Sequence, residues 1–393
     1  MRKSNARTEK MKLSYIRTIM ERAREMEYNG KKIVHLEIGE PDFDTPLPIV
    51  EATIQALRNG YTHYGPDEGL DELKAVIAKK ILRTKGIETE KKNMIITAGA
   101  SEAIFDAIVG LTGPGQRVII PEPSFGNYYN CCICAGSTPV NIPLKLDRHC
   151  RMDFEKLEEV VDENTGFIVI NNPHNPTGAV FSADEITKLA DFAMDRDLMV
   201  ITDEIYEDLY YGDKKPLPIA SLKGMKERTV MIGGFSKSYA MTGWRVGYLI
   251  VPPDLVESVQ KIHQYAVTCV STFSQVGIAG SIESCDHDLQ YFKNELNKRR
   301  QYLVGQMEKI ANISYIEPEG AFYLFINIKR FGISSIEFTE RLLEEHGLAA
   351  IPGSAFGAAG EGFIRLSYAA SLDEIRKGAD LFRTFIAGLE KRI

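Results

Sequence analysis

The first indication of chemistry in this sequence is a lysine that follows an apolar stretch. Residues 229–232 are apolar or β-branched, and Gly-Gly-Phe-Ser-Lys follows them directly, ending at Lys237. Ligands of open parallel sheets bind beyond the carboxyl ends of the strands. When a lysine amine is desolvated in such a place, its pKa falls below the usual value of about 10.4. The neutral amine is then a nucleophile for aldehydes. Lys237 alone is ambiguous, because most lysines are solvated surface charges.

Two further apolar runs also end in residues that can do chemistry. Residues 198–202 are followed by Asp203, and residues 167–170 by N-N-P-H-N-P-T-G at positions 171–178. A carboxylate at the end of a buried strand is unfavourable unless a cation meets it there. Asp203 is therefore a candidate partner for a bound cation, with the N-cap of a helix as the alternative.

A phosphate could bind where residues 94–97 lead into the small residues A-G-A-S of positions 98–101. The free amides and the positive dipole end of a helix that begins there favour an anion. Arg245, eight residues after Lys237, could give a planar fork to that phosphate or pair with a surface carboxylate. A lysine, a carboxylate, a set of amides and a cation are together what pyridoxal phosphate (PLP) requires.

The elements that must position these residues are apolar runs alternating with amphipathic stretches. Strand-like runs cover residues 94–97, 117–120, 167–170, 198–202, 229–232 and 246–251, with helical patterns between them. This alternation predicts an α/β fold with a mostly parallel sheet covered on both faces.

The last third of the chain differs from the rest. Residues 321–328 and 362–367 are predicted strands of a separate smaller sheet, and a capping box at Ser371 and Glu374 begins a long final helix. We therefore predict a large domain at residues 46–284 and a smaller α+β domain built from residues 1–45 and 285–393.

Composition excludes several classes of protein. The 393 residues carry 47 Lys and Arg against 54 Asp and Glu, a net charge of −7, so nucleic acid is not an expected partner. There is no apolar run of about 18 residues, and the N-terminus is polar, so we expect no membrane association and a cytoplasmic location. Cys131 and Cys134 have C-x-x-C spacing, but no second pair exists, and they are predicted to lie in a buried helix that ends at Gly136 rather than to bind metal.

Five motifs together resemble the class I/II aminotransferases, the fold-type I PLP-dependent superfamily of aspartate aminotransferase. They are L-E-I-G-E-P-D-F at 36–43, Y-G-P at 64–66, N-P-H-N-P-T-G at 172–178, D-E-I-Y at 203–206, and S-K at 236–237 followed by G-W-R-V-G at 243–247. The likeness runs almost end to end. It implies a mostly parallel seven-stranded sheet in the large domain, PLP as cofactor, and a homodimer with shared active sites.

The resemblance also implies roles for individual residues. Lys237 matches the lysine that joins the cofactor and carries a proton during catalysis, and Asp203 the carboxylate that pairs with the pyridine nitrogen. Tyr206 and Asn175 resemble the pair that hydrogen-bonds the O3′ oxygen of the ring. The remaining cofactor contacts implied are a phosphate cup of Ala100, Ser101, Ser236 and Arg245, the stacking ring of Phe125, and Tyr64 reaching the neighbouring subunit's phosphate.

Substrate binding is implied for Arg365, which would clamp the α-carboxylate with help from Asn175 and the Gly39 backbone. Some aspartate-preferring relatives carry a lysine where Ser101 stands here, so a strict aspartate preference is not expected. The function implied is ping-pong transfer of an amino group from an L-amino acid, such as aspartate or an aromatic one, to a 2-oxo acid such as 2-oxoglutarate.

Three other functions are weighed against this one. A PLP-dependent lyase, of the C–S β-lyase or aminocyclopropane-carboxylate synthase type, would use the same lysine, aspartate and arginine, and it stays the alternative. A PLP-binding regulator would need a DNA-binding module, but only about thirty residues precede the first motif. A dinucleotide-dependent dehydrogenase would need a G-x-G-x-x-G turn, which follows none of the predicted strands.

Overall fold

The computed structural model describes residues 5–147, 149–212 and 215–390. The α-helices of this part are α1 Tyr15–Tyr28, α2 Leu47–Arg58, α3 Asp71–Lys85, α4 Ala100–Leu111, α5 Asn127–Ala135, α6 Phe154–Val160, α7 Ala183–Asp195, α8 Val256–Val267, α9 Thr272–Ser281, α10 Asp286–Met307, α11 Ser335–His346 and α12 Leu372–Glu390. The strands are β1 Val34–His35, β2 Met94–Thr97, β3 Arg117–Glu122, β4 Thr138–Pro143, β5 Lys145–Leu146, β6 Cys150–Arg151, β7 Thr165–Asn171, β8 Met199–Asp203, β9 Thr229–Gly234, β10 Gly247–Ile250, β11 Ser314–Ile316, β12 Tyr323–Asn327, β13 Leu348–Ala349, β14 Ile351–Pro352 and β15 Phe363–Ser367.

The larger sheet has seven strands in the order β2-β10-β9-β8-β7-β3-β4. Strand β10 runs antiparallel to both of its neighbours, while the other pairings of this sheet are parallel. The inner strands β8 and β9 are buried almost throughout because helices cover both faces. The predicted α/β class and the mostly parallel seven-stranded sheet are confirmed.

Strand register brings the chemistry-bearing segments to one edge of this sheet. Asn171 at the end of β7 pairs with Asp203 at the end of β8, and Asp203 pairs with Ile232 of β9. The segments that follow β2, β7, β8 and β9 therefore leave the sheet side by side. Sequence positions more than a hundred residues apart meet at this edge.

Local sequence explains where helices begin. Ser182 and Glu185 satisfy each other's backbone amides at the start of α7, as a capping box requires. At the start of α12, the Ser371 hydroxyl accepts a hydrogen bond of 3.2 Å from the Glu374 amide, as predicted. The Glu374 carboxylate accepts a hydrogen bond of 2.6 Å from the Lys377 ammonium group. The predicted capping box has this carboxylate accept from the Ser371 amide instead.

A second sheet lies towards the C-terminus and contains the antiparallel strands β11-β12-β15-β14. Strand β1 pairs in parallel with β13, so the N-terminal segment is joined to the last third of the chain. Apolar packing also continues between the two sheets, because Ile168 of β7 and Phe325 of β12 belong to one buried cluster. The division at residues 46–284 stays a prediction. Among the described residues, no helix combines the length and hydropathy needed to cross a bilayer.

Candidate active site

A cavity of about 250 Å³ opens at the edge of the large sheet where β2, β7, β8 and β9 end. The cavity is lined by every site residue predicted from the sequence except Tyr64. The nominated residues in the walls are Gly39, Ala100, Ser101, Phe125, Asn175, Asp203, Tyr206, Ser236, Lys237, Arg245 and Arg365. The fold thus brings lysine, carboxylate, guanidinium and helix N-terminus to one place.

Lys237 follows β9 and lies in a wall of the cavity. Its ammonium group donates a hydrogen bond of 2.7 Å to the Gly39 carbonyl oxygen. Burial lowers the pKa of Lys237 to about 8, because the attraction of Glu40 does not compensate for the lost hydration. A substantial fraction of this lysine is therefore a neutral amine near physiological pH.

Gly39 has a steric reason to be glycine. A Cβ atom at this position would lie 2.5 Å from the Tyr323 hydroxyl oxygen. That hydroxyl forms a 2.8 Å hydrogen bond with the Tyr206 hydroxyl, and both tyrosines are buried. A side chain at 39 would displace Tyr323 and disturb the position of Tyr206.

Asp203 ends β8 beneath the cavity and is buried. Its two oxygens accept hydrogen bonds from neutral donors, the Tyr128 hydroxyl at 2.7 Å and the Ile205 amide at 3.1 Å. Burial raises the pKa of Asp203 to about 6, which those two hydrogen bonds only partly oppose. The alternative N-cap role is not found, because the residues that follow Asp203 form turns rather than a helix.

Arg365 of β15 lies across the cavity and is 2% exposed. One terminal nitrogen donates to the Asn175 amide oxygen at 3.0 Å, and the other donates to the Glu37 carbonyl oxygen at 2.8 Å. Its guanidinium carbon lies 4.2 Å from the Tyr323 ring centroid, a cation–π distance. Within the described part of the chain, Nε has no hydrogen-bond partner. The buried guanidinium is thus held by neutral groups and has capacity for an added carboxylate.

The N-terminus of α4 forms another wall of the cavity. Helix α4 begins at Ala100 after Gly99, whose φ of +84° is accessible to glycine at little cost. A Cβ atom at Gly99 would lie 2.6 Å from a terminal nitrogen of Arg245, so the arginine packs directly over the turn. That nitrogen donates to the Ala98 carbonyl at 2.9 Å. Helix amides and an arginine therefore face the same space, as an anion site requires.

Two predicted aromatic residues have different surroundings. Phe125 lies in the cavity wall, with its ring edge-on to Tyr128 at a centroid distance of 6.0 Å. Tyr64 is 89% exposed and is absent from the cavity wall of its own chain. The structure of one chain does not bring Tyr64 to the site.

Sequence reasoning missed Tyr128, Tyr323 and Asn171. Tyr128 binds Asp203, Tyr323 binds Tyr206, and the Asn171 amide group donates to the Asp203 carbonyl at 2.8 Å. Tyr128 lies on α5, which ends at Gly136 in the left-handed conformation, as predicted for the cysteine-containing segment. Nothing in the local pattern of that helix distinguishes the tyrosine, whereas Asn171 was detectable because it directly follows the predicted strand at residues 167–170.

The family is decided by comparison with known proteins. Residues 31–380 match the family described as aminotransferase class I and II. The chain belongs to this family. Its activity is accordingly the PLP-dependent transfer of an amino group.

Individual aminotransferases of known name are similar over most of their length. The chain is 40% identical to an aspartate aminotransferase of Pyrococcus abyssi, covering 89% of this chain and 90% of that one. It is 39% identical to aromatic-amino-acid aminotransferase 2 of Thermococcus litoralis, covering 88% and 90% respectively. The solved structure of Thermus thermophilus aspartate aminotransferase with maleate superposes with a TM-score of 0.93 at 30% identity, covering 98% of this chain and 100% of that one.

The cavity of this aminotransferase fits PLP. In the part of the chain that the structure describes, both hydrogen-bond donors to the buried Asp203 carboxylate are neutral. This carboxylate suits a protonated pyridine nitrogen, because a cation would offset the cost of burying the negative charge. The amine of Lys237, which is partly neutral because its pKa is lowered to about 8, suits an aldehyde. The α4 N-terminus together with Arg245 suits a phosphate.

Proposed function

We propose that this aminotransferase moves the amino group of an L-amino acid with an acidic or aromatic side chain to a 2-oxo acid such as 2-oxoglutarate, alternating the two half-reactions in one site. One observation carries the proposal: a single cavity contains Lys237, Asp203 and Arg365. Lys237 is a partly neutral amine near pH 8, and among the described residues neither Asp203 nor Arg365 forms an ion pair within 4 Å. These three groups are together complementary to the cofactor and an amino acid.

Lys237 is the proposed acid–base residue. Bound PLP supplies an aldehyde that captures amines and a ring that withdraws electrons from the substrate's α-carbon. The neutral lysine amine would accept the proton from that carbon at its Nζ and later donate it again within the same site. Its hydrogen bond to the Gly39 carbonyl holds the amine at the wall of the cavity, and its lowered pKa keeps part of it neutral and able to accept a proton.

Asp203 is proposed to keep the ring nitrogen protonated, and Tyr206 with Asn175 to bind the oxygen substituent of the ring. The hydrogen bond from Tyr128 fixes the Asp203 carboxylate in one orientation. The Tyr206 hydroxyl is fixed in the same way by Tyr323. These contacts support a preorganised site, because the groups need not reorient when the cofactor binds. Ala100, Ser101, Ser236 and Arg245 are proposed to hold the phosphate, and Phe125 to stack on the ring.

Arg365 is proposed to bind the α-carboxylate that every substrate shares. Asn175 holds one of its terminal nitrogens at 3.0 Å, so the planar fork is already oriented before substrate arrives. The Tyr323 ring beneath the guanidinium prevents it from turning away. A carboxylate in this place is fixed at two oxygens, which orients the α-carbon towards Lys237.

The substrate side chain is proposed to extend into a second cavity of about 270 Å³. Ile16 and Phe125 line both cavities, so the two are adjacent. The second cavity contains apolar groups together with Lys12, whose backbone is held by two hydrogen bonds of 3.1 Å to the Asn130 side chain. The lining also contains the Glu122 carboxylate and several hydroxyl and amide side chains. The Lys12 ammonium group suits a distal carboxylate of the substrate, whereas the apolar part of the lining, which includes Phe125 and Phe356, suits an aromatic side chain.

We also propose that the working unit is a homodimer in the cytoplasm. Tyr64 and Tyr265 are 89% and 90% exposed in the single chain, so both rings are available to contact a partner subunit. The six cysteines are free thiols, consistent with a reducing compartment. In the dimer, Tyr64 would complete the phosphate site of the neighbouring subunit.

A panel of amino donors tested with 2-oxoglutarate would measure the proposed activity. We expect aspartate and aromatic amino acids to give oxo acids over many turnovers only when an acceptor is present. Oxo acid and ammonia released without an acceptor would instead indicate the PLP-dependent lyase. The purified protein is first loaded with cofactor, and its yellow colour confirms the loading. Inactivity of this loaded protein towards the whole panel would contradict the proposal.

A further inference from the structure

A buried histidine lies behind the phosphate side of the cavity. His263 of α8 is 0% exposed, and its Nε2 lies 2.7 Å from the carbonyl oxygen of Asp67. Its Nδ1 lies 2.9 Å from a carboxylate oxygen of Glu102 and 3.5 Å from one of Asp106, both on α4. Asp106 is also fully buried, and its carboxylate oxygens have no hydrogen-bond partner among the described residues.

The surroundings of the ring indicate its protonation state. A carbonyl oxygen only accepts hydrogen bonds, so Nε2 must carry a proton to contact Asp67. A lone pair on Nδ1 would then face two carboxylates, whereas a proton there gives a hydrogen bond to Glu102. Burial alone would lower the pKa of His263, but the neighbouring carboxylates of Asp106 and Glu102 raise it to about 10. The geometry and charge both favour an imidazolium ion.

Hydrogen bonds connect this ion to the predicted phosphate site. The second oxygen of Glu102 accepts from the Ala98 amide, and the Ala98 carbonyl accepts from Arg245 at 2.9 Å. Glu102 is the third residue of α4, so its charge lies within the first turn of the helix that faces the phosphate. A second carboxylate, Asp106, follows one turn later. Without a cation, these two charges would repel a phosphate at the α4 N-terminus.

The opposite nitrogen of the ring connects to the segment that carries Tyr64. Asp67 stands three residues after Tyr64, and its carboxylate accepts a hydrogen bond of 2.7 Å from Gln264, the neighbour of His263. Helix α8 therefore holds both the backbone and the side chain of Asp67. His263 lies between the phosphate turn of its own chain and the segment proposed to reach the partner's phosphate.

We propose that His263 is a positioning residue for cofactor phosphate: as a buried cation it neutralises Glu102 and Asp106 beside the α4 N-terminus and joins this turn to the Tyr64 segment. The inference rests on the proposed phosphate role of the α4 N-terminus. It adds a residue outside the cavity, acting through Glu102 on the turn and through Asp67 on the Tyr64 segment.

The test compares PLP with pyridoxal, which lacks the phosphate, by titrating apoprotein and following cofactor absorbance and protein fluorescence. In His263→Gln, two carboxylates lose their cation, and we expect PLP to bind at least about tenfold more weakly while pyridoxal binding changes little. Adding Asp106→Asn should recover much of the lost PLP affinity, because it removes one uncompensated charge. If His263 had only a structural role, Asp106→Asn would not restore PLP affinity, and the affinities for PLP and pyridoxal would fall equally.

PLP binding by a second variant and the metal content of the wild-type protein also test the proposal. Asp106→Asn alone should strengthen PLP binding about threefold at pH 8, where Asp106 is charged in the wild type. Unchanged or weaker binding would overturn the proposal. This measurement does not depend on the folding of His263→Gln. A stoichiometric divalent metal ion in the wild-type protein, lost in His263→Gln, would show that the cluster binds metal instead. Wild-type protein that binds no PLP would refute the proposed function, whereas normal PLP binding by His263→Gln would refute only the role of His263.

Discussion

The Lys237 ammonium group donates a hydrogen bond of 2.7 Å to the carbonyl oxygen of Gly39, although 198 residues separate the two in the chain. The contact joins the end of β9 to the segment after β1, which belongs to the N-terminal part of the small predicted domain. A carbonyl holds the amine without adding a negative charge beside it. The pKa of Lys237 is therefore set mainly by burial, which lowers it to about 8.

Replacement of this lysine should abolish transamination. Lys237→Ala removes the group proposed to move the proton, and we expect oxo-acid formation to fall by at least about 10³-fold. Borohydride reduction should attach cofactor to Lys237 in wild type and to no residue in the variant. Lys223→Ala, an exposed lysine, is the matched control and should retain wild-type rates. Steady turnover by Lys237→Ala would refute the assigned role.

Asp203→Asn should have opposite effects on activity and on stability of the apoprotein. Burial raises the pKa of Asp203 to about 6 in the folded state, against 3.8 ordinarily, so the folded state binds a proton more tightly than the unfolded one. The ionised carboxylate thus destabilises the apoprotein above about pH 6, and this effect vanishes below pH 3.8. The variant should gain roughly 2–3 kcal/mol in unfolding free energy at pH 8.

The activity of Asp203→Asn should nevertheless fall by about 10²–10³-fold, because a neutral amide does not keep the ring nitrogen protonated. Denaturant unfolding of apoproteins at pH 8 and pH 5, together with initial rates, measures both effects. A gain in stability that is the same at both pH values would argue against titration of Asp203 as its cause.

Arg365→Lys should raise the KM for every amino acid and oxo acid without removing the cofactor. A lysine keeps the charge but lacks the planar fork, so we expect an increase of about 10–100-fold, and a larger one for Arg365→Ala. The cofactor absorbance should stay unchanged, because Arg365 is proposed to contact substrate only. A colourless Arg365→Lys protein would place this arginine with the cofactor instead.

Hybrid dimers test whether Tyr64 completes the partner's site. Tyr64→Ala should weaken PLP binding, whereas Tyr28→Ala, at a tyrosine 93% exposed, should not. A hybrid of one Lys237→Ala chain and one Tyr64→Ala chain contains one site with both residues intact. At limiting PLP, the purified hybrid should therefore exceed either parent homodimer in rate. A hybrid no better than its parents would contradict the shared site.

Lys12→Met should change substrate preference. The ammonium group in the second cavity is proposed to meet a distal carboxylate, so its loss should raise the KM for aspartate and 2-oxoglutarate by about tenfold. The KM for aromatic donors should stay within about twofold. Lys10→Met, two residues earlier on an exposed turn, serves as the control. Equal losses for acidic and aromatic donors would assign Lys12 to folding of the N-terminal segment.

Much of the site was predictable because its main residues follow strands directly. Asp203 and Lys237 come after apolar runs whose carboxyl ends the α/β pattern already places together. Arg365 was identifiable as a site residue because burying an unpaired guanidinium in an apolar strand is energetically unfavourable. The resemblance to aminotransferases then assigned each residue a role.

The amino-acid sequence by itself determined the succession of strands and helices, the fold class, and the residues that reach the edge of the sheet, because these depend on periodicity and on turns only a few residues long. Only the tertiary structure decided that Tyr128 holds Asp203, that Tyr323 holds Tyr206, and that His263 contacts Glu102, across separations of 75, 117 and 161 residues. Such contacts arise when whole helices pack on a sheet. No short segment carries a signal for them.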